Sequence, residues 1–171
     1  RLPQYISNLK HGAWQQSGLK TSSMPPNFGI GMTLEGKTLG VWGYGKIGQR
    51  IAAYGRAFGM QVTVWGSEGS RAKARADGFL PAPTREAFFD VCDVLSLHLR
   101  LVPETRGLVT LDDLSRMKAT ALFVNTSRAE LLTEGALVSA LNRGRPGMAA
   151  VDAFESEPIL QGHPLLRLEN A

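Results

Sequence analysis

Residues 43–48 read GYGKIG and are the most informative segment of this sequence for its fold. A short apolar run, residues 38–42, precedes it, and apolar residues at helical spacing follow it up to residue 58. Three glycines at this spacing, between a strand and a helix, are typical of a turn that binds the pyrophosphate of a dinucleotide. The alternative is a glycine-rich turn that binds nothing, and the flanking strand and helix favour the dinucleotide.

Each residue of this turn has an expected part in holding phosphate. Gly43 permits the tight turn, Gly45 lets the backbone approach the pyrophosphate, and Gly48 allows the helix to pack closely on the strand. The backbone N–H groups near Lys46 and Ile47 then face the phosphates at the positive end of the helix.

Strand-like and helix-like segments alternate through the rest of the chain. Apolar strands are predicted at residues 38–42, 61–65, 79–80, 94–97, 121–124 and 148–151. Helices are predicted at residues 46–58, 71–77, 85–90, 111–117 and 133–142, the last with Thr133 as its N-cap. Continuous apolar strands alternating with helices predict the α/β class: a Rossmann-type, doubly wound parallel sheet with helices on both faces.

Composition excludes several other classes of protein. The chain has 171 residues, 43 % of them hydrophobic and 20 % charged, which is typical of one soluble globular domain and not of a disordered or membrane-spanning chain. The surplus of 19 basic over 15 acidic residues is too small to indicate a nucleic-acid partner. Cys92 lies in an apolar stretch and is expected to be a buried thiol in a reducing, cytoplasmic setting.

The adenine-side ribose is the least determined part of the predicted site. An acidic residue is expected directly after the second strand, and Gly66 stands there instead. Glu68 could reach the ribose hydroxyls and favour NAD. Alternatively, Ser67 and Arg71 could bind a 2′-phosphate and favour NADP, and the sequence leaves both open.

Further motifs follow the glycine turn in a fixed order. They read VLSLHLRL at 94–101, ETRG at 104–107, VNTSR at 124–128 and VDAFESEP at 151–158. With GAW at 12–14 and LEGKTLG at 34–40, the chain resembles the nucleotide-binding domain of the D-isomer-specific 2-hydroxyacid dehydrogenase family over nearly all of its length. That family includes phosphoglycerate dehydrogenase and glyoxylate/hydroxypyruvate reductases.

The resemblance implies roles for five residues. Arg128 would bind the carboxylate and keto oxygen of the substrate, which suits a planar guanidinium with two parallel donors. Glu157 would orient a catalytic histidine and raise its basicity. Asp152 would accept a hydrogen bond from the nicotinamide carboxamide, and Thr126 and Ser127 would line the nicotinamide ribose.

The family's catalytic histidine has no counterpart among His11, His98 and His163. It is expected shortly after Ala171, so residues 159–171 would lead into a substrate domain absent from this sequence. Residues 38–158 would then be the NAD(P)-binding domain, and residues 1–37, irregular in pattern, an arm or linker. We expect the 171-residue chain alone to bind dinucleotide but to turn over little or no 2-keto acid.

Two residues depart from the family's pattern. Ala129 stands where glycine commonly follows the arginine, and Arg100 stands where proline is usual. Arg100 would lie near the adenosine end of the cofactor, which adds to the case for NADP.

The predicted function is hydride transfer between NAD or NADP and a D-2-hydroxy acid or 2-keto acid, with no metal. One alternative is a nucleotide-sensing corepressor that uses the same fold for dimerisation without catalysis, and another is a different Rossmann dehydrogenase. The expected partners are a small-molecule substrate and a second copy of the chain, the segment 1–30 lying against it. No nucleic-acid or membrane partner is expected, and the identity of the 2-hydroxy acid stays undetermined.

Overall fold

The computed structural model describes residues 6–7, 9–12 and 31–171 of the chain. The chain divides into two compact units, residues 1–33 and residues 34–171. In the first unit, residues 6–7 and 9–10 are helical, although the pattern of residues 1–37 predicts irregular structure. The apolar side chains at positions 2, 5 and 14, which the resemblance predicts to face a second copy, lie outside the described residues.

The second unit is built on one six-stranded parallel sheet. Its strands are β1 (Thr38–Trp42), β2 (Gln61–Trp65), β3 (Leu80–Pro81), β4 (Val94–Leu97), β5 (Leu122–Asn125) and β6 (Met148–Val151). Their spatial order is β3-β2-β1-β4-β5-β6, so the order reverses beside β1. This arrangement confirms the predicted doubly wound α/β fold.

In the second unit, five α-helices and two short 3-10 helices connect the strands, and a third 3-10 helix follows β6. The α-helices are α1 (Lys46–Ala57), α2 (Glu68–Ala76), α3 (Arg85–Val91), α4 (Leu111–Arg116) and α5 (Ala136–Asn142). The 3-10 helices are Pro103–Thr105, Ala129–Leu131 and Pro164–Arg167. None of the helices in the described part of the chain is long and apolar enough to cross a membrane.

Two apolar clusters cover the two faces of the sheet. Leu39 and Val41 of β1 join a cluster with residues of α1 and α2. Trp42, whose side chain points to the opposite face, joins a larger cluster with residues of α3, α4 and α5. The free thiol of Cys92 is fully buried in the second cluster, as predicted.

Two helix starts differ from the sequence prediction. The prediction of Thr133 as the N-cap of α5 is wrong: the helix begins at Ala136, after Gly135 with a φ of +70°. The Thr133 hydroxyl instead donates a hydrogen bond to the carbonyl oxygen of Gly107 at 3.1 Å. Helix α2 begins three residues before the predicted position 71, because the Ser67 hydroxyl accepts a hydrogen bond from the N–H of Ser70 at 3.3 Å and caps the helix.

Candidate dinucleotide and substrate site

The carboxyl ends of five strands stop in one row across the sheet. The register pairs, in spatial order, Trp65, Trp42, Leu97, Asn125 and Val151. The residues that follow them, Gly66, Gly43, His98, Thr126 and Asp152, therefore share one edge of the sheet. At about 4.8 Å between neighbouring strands, this edge spans about 19 Å from the first to the last. The row crosses the reversal of strand order beside β1, which is where doubly wound sheets bind their ligands.

The three glycines of the turn meet different surroundings. A Cβ on Gly43, whose φ is +99°, would lie 2.5 Å from the carbonyl oxygen of His98. A Cβ on Gly48 would lie 2.0 Å from the carbonyl oxygen of Gly43. At Gly45, by contrast, no described residue other than its two neighbours in the chain has an atom within 4 Å of the Cβ position. Packing within the protein therefore excludes side chains at the first and third glycines, whereas the second opens onto free space that fits an approaching pyrophosphate.

The start of α1 is open to an anion. Gly45 is the N-cap and supplies no side-chain acceptor, and the first turn holds no acidic residue. Lys46 and Ile47 are exposed, Ile47 to 66 %. The first backbone N–H groups of this 12-residue helix have no intrahelical acceptor, so they can donate to phosphate oxygens.

A buried asparagine shapes the loop after β5. Asn125 is 1 % exposed. Its Nδ2 donates to the carbonyl oxygen of Arg128 at 2.9 Å, and its Oδ1 accepts from the N–H of Ser127 at 3.1 Å. The Ser127 hydroxyl donates to the carbonyl oxygen of Leu97 at 2.8 Å, which ties the loop to β4.

The predicted substrate-binding arginine lies in this loop. Arg128 is exposed, and its Nη1 donates to the carbonyl oxygen of Ser127 at 2.7 Å. Thr126, one residue past β5, is also exposed. The loop therefore presents an accessible guanidinium at the carboxyl edge of the sheet, two strands away from the glycine turn.

The predicted acidic residues lie after β6. Asp152 follows the strand directly, is exposed, and donates its N–H to the carbonyl oxygen of Asn125 at 3.1 Å. Glu157 is exposed as well, and its Oε1 accepts from the N–H of Phe154 at 3.2 Å. Asp152 is thus joined to the Arg128 loop through Asn125, while this hydrogen bond holds Glu157 to its own loop.

Two histidines have distinct surroundings. The Nε2 of His98 is buried and has no hydrogen-bond partner among the described residues, and burial lowers the pKa of this imidazole. The Nε2 of His163 lies 3.4 Å from Oε2 of Glu155, so this histidine pairs with Glu155 and not with Glu157.

The adenine side contains a small cavity of about 390 Å³ between the β1 and β2 ends. Trp65, Gly66, Ser67 and Ser70 contribute to its walls. The Glu68 carboxylate is not part of that lining. It lies near two guanidinium groups, at 2.7 Å from Nη2 of Arg71 and 3.5 Å from Nη1 of Arg75.

Arg71, in the first half of α2, is only partly solvated. Its guanidinium carbon lies 4.9 Å from the centroid of the Trp65 ring, and its side chain is 24 % exposed. Its Nε is buried and has no hydrogen-bond partner among the described residues. The neighbouring Lys73 and Arg75 are exposed.

A larger cavity of about 790 Å³ lies at the other end of the sheet. Its walls include Leu132, Val138, Phe154 and Leu165, and the glycine turn is not part of it. Within the described ranges, no group of three or more His, Cys, Asp or Glu side chains is placed to hold a metal ion.

A parallel sheet in this order, with a GxGxxG turn at the reversal of strand order, defines a Rossmann-type dinucleotide-binding domain. The chain belongs to the D-isomer specific 2-hydroxyacid dehydrogenase family, and the family's NAD-binding domain matches residues 1–171. This confirms the predicted family and excludes a different class of Rossmann dehydrogenase.

Similar proteins carry the same assignment. The chain is 40 % identical over 162 residues to a glyoxylate reductase of Aeropyrum pernix, covering 95 % of this chain and 47 % of that protein. It is 34 % identical over 169 residues to a D-3-phosphoglycerate dehydrogenase of Methanocaldococcus jannaschii, covering 99 % and 30 %. The crystal structure of a candidate D-3-phosphoglycerate dehydrogenase oxidoreductase from Ralstonia solanacearum is 68 % identical with a TM-score of 0.88, covering 99 % of this chain and 50 % of that one. The chain thus spans half or less of the length of these relatives.

Proposed function

We propose that this chain is the part of an NAD(P)-dependent oxidoreductase that holds both the dinucleotide and the carboxylate of a D-2-hydroxy or 2-keto acid. The observation that carries the proposal is the position of the Arg128 loop. Asn125 and Ser127 hold that loop at the same sheet edge as the glycine turn. A carboxylate on Arg128 would lie toward the nicotinamide end of a dinucleotide whose pyrophosphate is at the turn.

In this proposal, different residues at the carboxyl edge of the sheet bind different parts of the cofactor. Gly43, Gly45 and Gly48 shape the turn, and the N–H groups near Lys46 and Ile47 donate to the pyrophosphate. Thr126 and Ser127 line the nicotinamide ribose, and the Asp152 carboxylate accepts from the carboxamide. The bound nicotinamide supplies the chemistry of giving or taking a hydride.

One group binds the 2-keto acid and another exchanges a proton with its keto oxygen. The Arg128 guanidinium donates to the carboxylate and keto oxygen, and its planar fork suits both. The Glu157 carboxylate accepts a hydrogen bond from the family's catalytic histidine and keeps that imidazole basic enough to exchange a proton with the substrate oxygen.

We further propose that NADP(H) is the preferred cofactor. A carboxylate at the end of β2 would bind the ribose hydroxyls of NAD, but Gly66 carries none. Glu68, the next carboxylate, already pairs with Arg71 and Arg75. The hydroxyls of Ser67 and Ser70 and the guanidinium of Arg71 are donors suited to a 2′-phosphate.

We also propose that the protein forms a homodimer and is located in the cytoplasm. Ile6 and Leu9, in the segment expected to face a second copy, are 46 % and 52 % exposed. The thiol of Cys92 is buried, and burial raises its pKa to about 12, which suits a permanently reduced residue. Sedimentation that shows only monomer at micromolar concentration contradicts the dimer.

The test is turnover of glyoxylate and hydroxypyruvate by the full-length protein with NADPH and NADH. We expect Arg128→Gln to lower kcat/KM for the keto acid by about 100-fold or more, because a charged hydrogen bond pair is lost, while the dissociation constant of NADPH stays unchanged. The exposed Arg167→Gln is the control and keeps its activity. Tight NADPH binding without turnover of any 2-keto acid contradicts the proposal and favours a nucleotide-sensing corepressor.

A further inference from the structure

Tyr44, between the first two glycines of the turn, has a buried side chain. It is 4 % exposed and belongs to the core cluster that includes Val41 and Val64. Its ring meets that of Phe79 edge to face, with 6.1 Å between the centroids. The turn is therefore anchored in the core by the one side chain that separates its first two glycines.

The hydroxyl of this tyrosine meets the far end of α2. Tyr44 Oη donates to Oδ2 of Asp77 at 2.9 Å, and Asp77 is the C-cap of α2. Nη1 of Arg56, in α1, donates to the carbonyl oxygen of Asp77 at 3.4 Å. Burial and, next, the hydrogen bond to Asp77 raise the pKa of Tyr44 to about 12, so the hydroxyl keeps its proton at neutral pH.

The near end of α2 carries the loop on the adenine side. Ser67 caps the helix, and the preceding Gly66 approaches the glycine turn, since a Cβ on Gly66 would lie 3.9 Å from the Cα of Gly43. Gly43 also donates its N–H to the carbonyl oxygen of Trp65 at 2.9 Å. Because α2 is a single nine-residue helix, a bond that fixes its C-terminus against the turn also fixes the loop at its N-terminus.

We propose that Tyr44 is a positioning residue that holds the pyrophosphate-binding turn and the adenosine-side loop in fixed relation through Asp77. The proposal rests on the cofactor site proposed above. Tyr44 contacts no reacting group, so it acts on the affinity for the dinucleotide and not on hydride transfer. When the bond is absent, the two loops must be ordered at the moment of binding, which weakens affinity.

Four variants of the full-length protein test this proposal. Tyr44→Phe removes the hydroxyl and keeps the ring, and Asp77→Ala removes the acceptor. Asp77→Asn removes the charge but keeps an oxygen that accepts the hydrogen bond. We expect the first two to raise the dissociation constant of NADPH about threefold to tenfold, the range for one lost hydrogen bond. Asp77→Asn should retain wild-type affinity, the double variant Tyr44→Phe/Asp77→Ala should bind no more weakly than either single variant, and kcat at saturating cofactor should not change.

Two controls separate positioning from a general loss of stability. Lys118→Met removes an ion pair with Asp93, at 2.9 Å, beside the amino-terminal edge of the sheet and far from the glycine turn. Tyr54→Phe removes a hydroxyl from an exposed position of α1. The proposal would be overturned if Tyr44→Phe bound NADPH with wild-type affinity. It would also be overturned if Tyr44→Phe and Lys118→Met lowered Tm equally and Tyr44→Phe lost no more affinity for NADPH than Lys118→Met. Equal losses of affinity in Asp77→Asn and Asp77→Ala would overturn it as well. A wild-type protein that binds neither NADPH nor NADH would overturn the cofactor site itself, and this proposal with it.

Discussion

The side-chain amide of Asn125 bonds both to the carbonyl oxygen of Arg128, at 2.9 Å, and to the N–H of Ser127, at 3.1 Å. The Arg128 carbonyl oxygen also accepts a longer hydrogen bond from the N–H of Leu131, at 3.4 Å. The asparagine therefore gives the loop the shape that carries the Arg128 side chain to the sheet edge.

Asp at position 125 keeps the acceptor for Ser127 but removes the donor to Arg128. We expect Asn125→Asp to raise KM for the 2-keto acid and to lower the free energy of unfolding by about 1–3 kcal/mol, because the shorter hydrogen bond to the Arg128 carbonyl oxygen is lost and a carboxylate is buried in place of an amide. The dissociation constant of NADPH should change little. Steady-state kinetics with a cofactor titration check this, and a variant with unchanged KM would show that the loop keeps its shape without the donor.

Removing the charge of Glu68 should release Arg71 for a 2′-phosphate. We expect Glu68→Gln to bind NADPH more tightly and NADH no more tightly, with stability changed by less than about 1 kcal/mol because the Glu68 carboxylate itself is exposed. Fluorescence titration with both cofactors measures the ratio, and Glu134→Gln, exposed and outside α2, is the matched control. Tighter binding of NADH alone would contradict the assignment of Arg71.

The lowered pKa of His98 predicts a dependence of stability on pH. An unfolded histidine titrates near pH 6.5, and burial lowers the pKa in the folded protein, so the unfolded state binds more protons below that pH. The free energy of unfolding is therefore highest above about pH 6.5 and decreases as the pH falls from there through the pKa of His98 in the folded protein. Urea unfolding from pH 7.5 to pH 5 should show a steeper loss for the wild type than for His98→Gln, and parallel curves would contradict the prediction.

Two glycines should respond in opposite ways to alanine. At Gly48, a Cβ would lie 2.0 Å from the carbonyl oxygen of Gly43, so Gly48→Ala should destabilise the fold by at least about 1–3 kcal/mol through overpacking. At Gly69, in α2, no described atom outside the helix's own neighbouring backbone lies within 4 Å of the Cβ position, and Gly69→Ala should stabilise the helix by about 0.5–1 kcal/mol. Chemical denaturation measures both, and similar values for the two would contradict the close approach at Gly48.

The sheet was predictable because its strands are apolar runs of a typical strand length. Glycines also mark the end of the turn and the end of the first helix, which Gly59 follows with a φ of +74°. The start of α5 was not predictable, because the Thr133 hydroxyl bonds to Gly107, 26 residues away, and local capping patterns carry no such information. Similarly, the sequence places Glu68 within reach of the ribose, but its pairing with Arg75 depends on a helix that starts earlier than its apolar pattern indicates.

The site residues divide in the same way. The turn and the Arg128 loop follow from motifs, and the structure puts both at one sheet edge. The contribution of Asn125 was signalled only by a polar residue at the end of an apolar strand. That of Tyr44 had no local signal, because its partner Asp77 lies 33 positions further along the chain.

If Gly45 faces the pyrophosphate of a bound dinucleotide, a side chain at this position must weaken cofactor binding, and equilibrium titration with NADPH and NADH measures that effect. Apart from the two adjacent residues, no described residue has an atom within 4 Å of the Cβ position of Gly45. Because Gly45 is the N-cap of α1, Gly45→Ala should lower the free energy of unfolding by no more than about 1 kcal/mol, and Gly162→Ala in the C-terminal segment should keep the wild-type Tm. We predict that the wild type and Gly162→Ala bind NADPH with equal dissociation constants and that Gly45→Ala binds it at least about tenfold more weakly, because the added methyl group occupies the space that the phosphates need. Equal affinity in all three proteins, or no binding of either cofactor by the wild type, would show that Gly45 does not face the pyrophosphate of a bound dinucleotide.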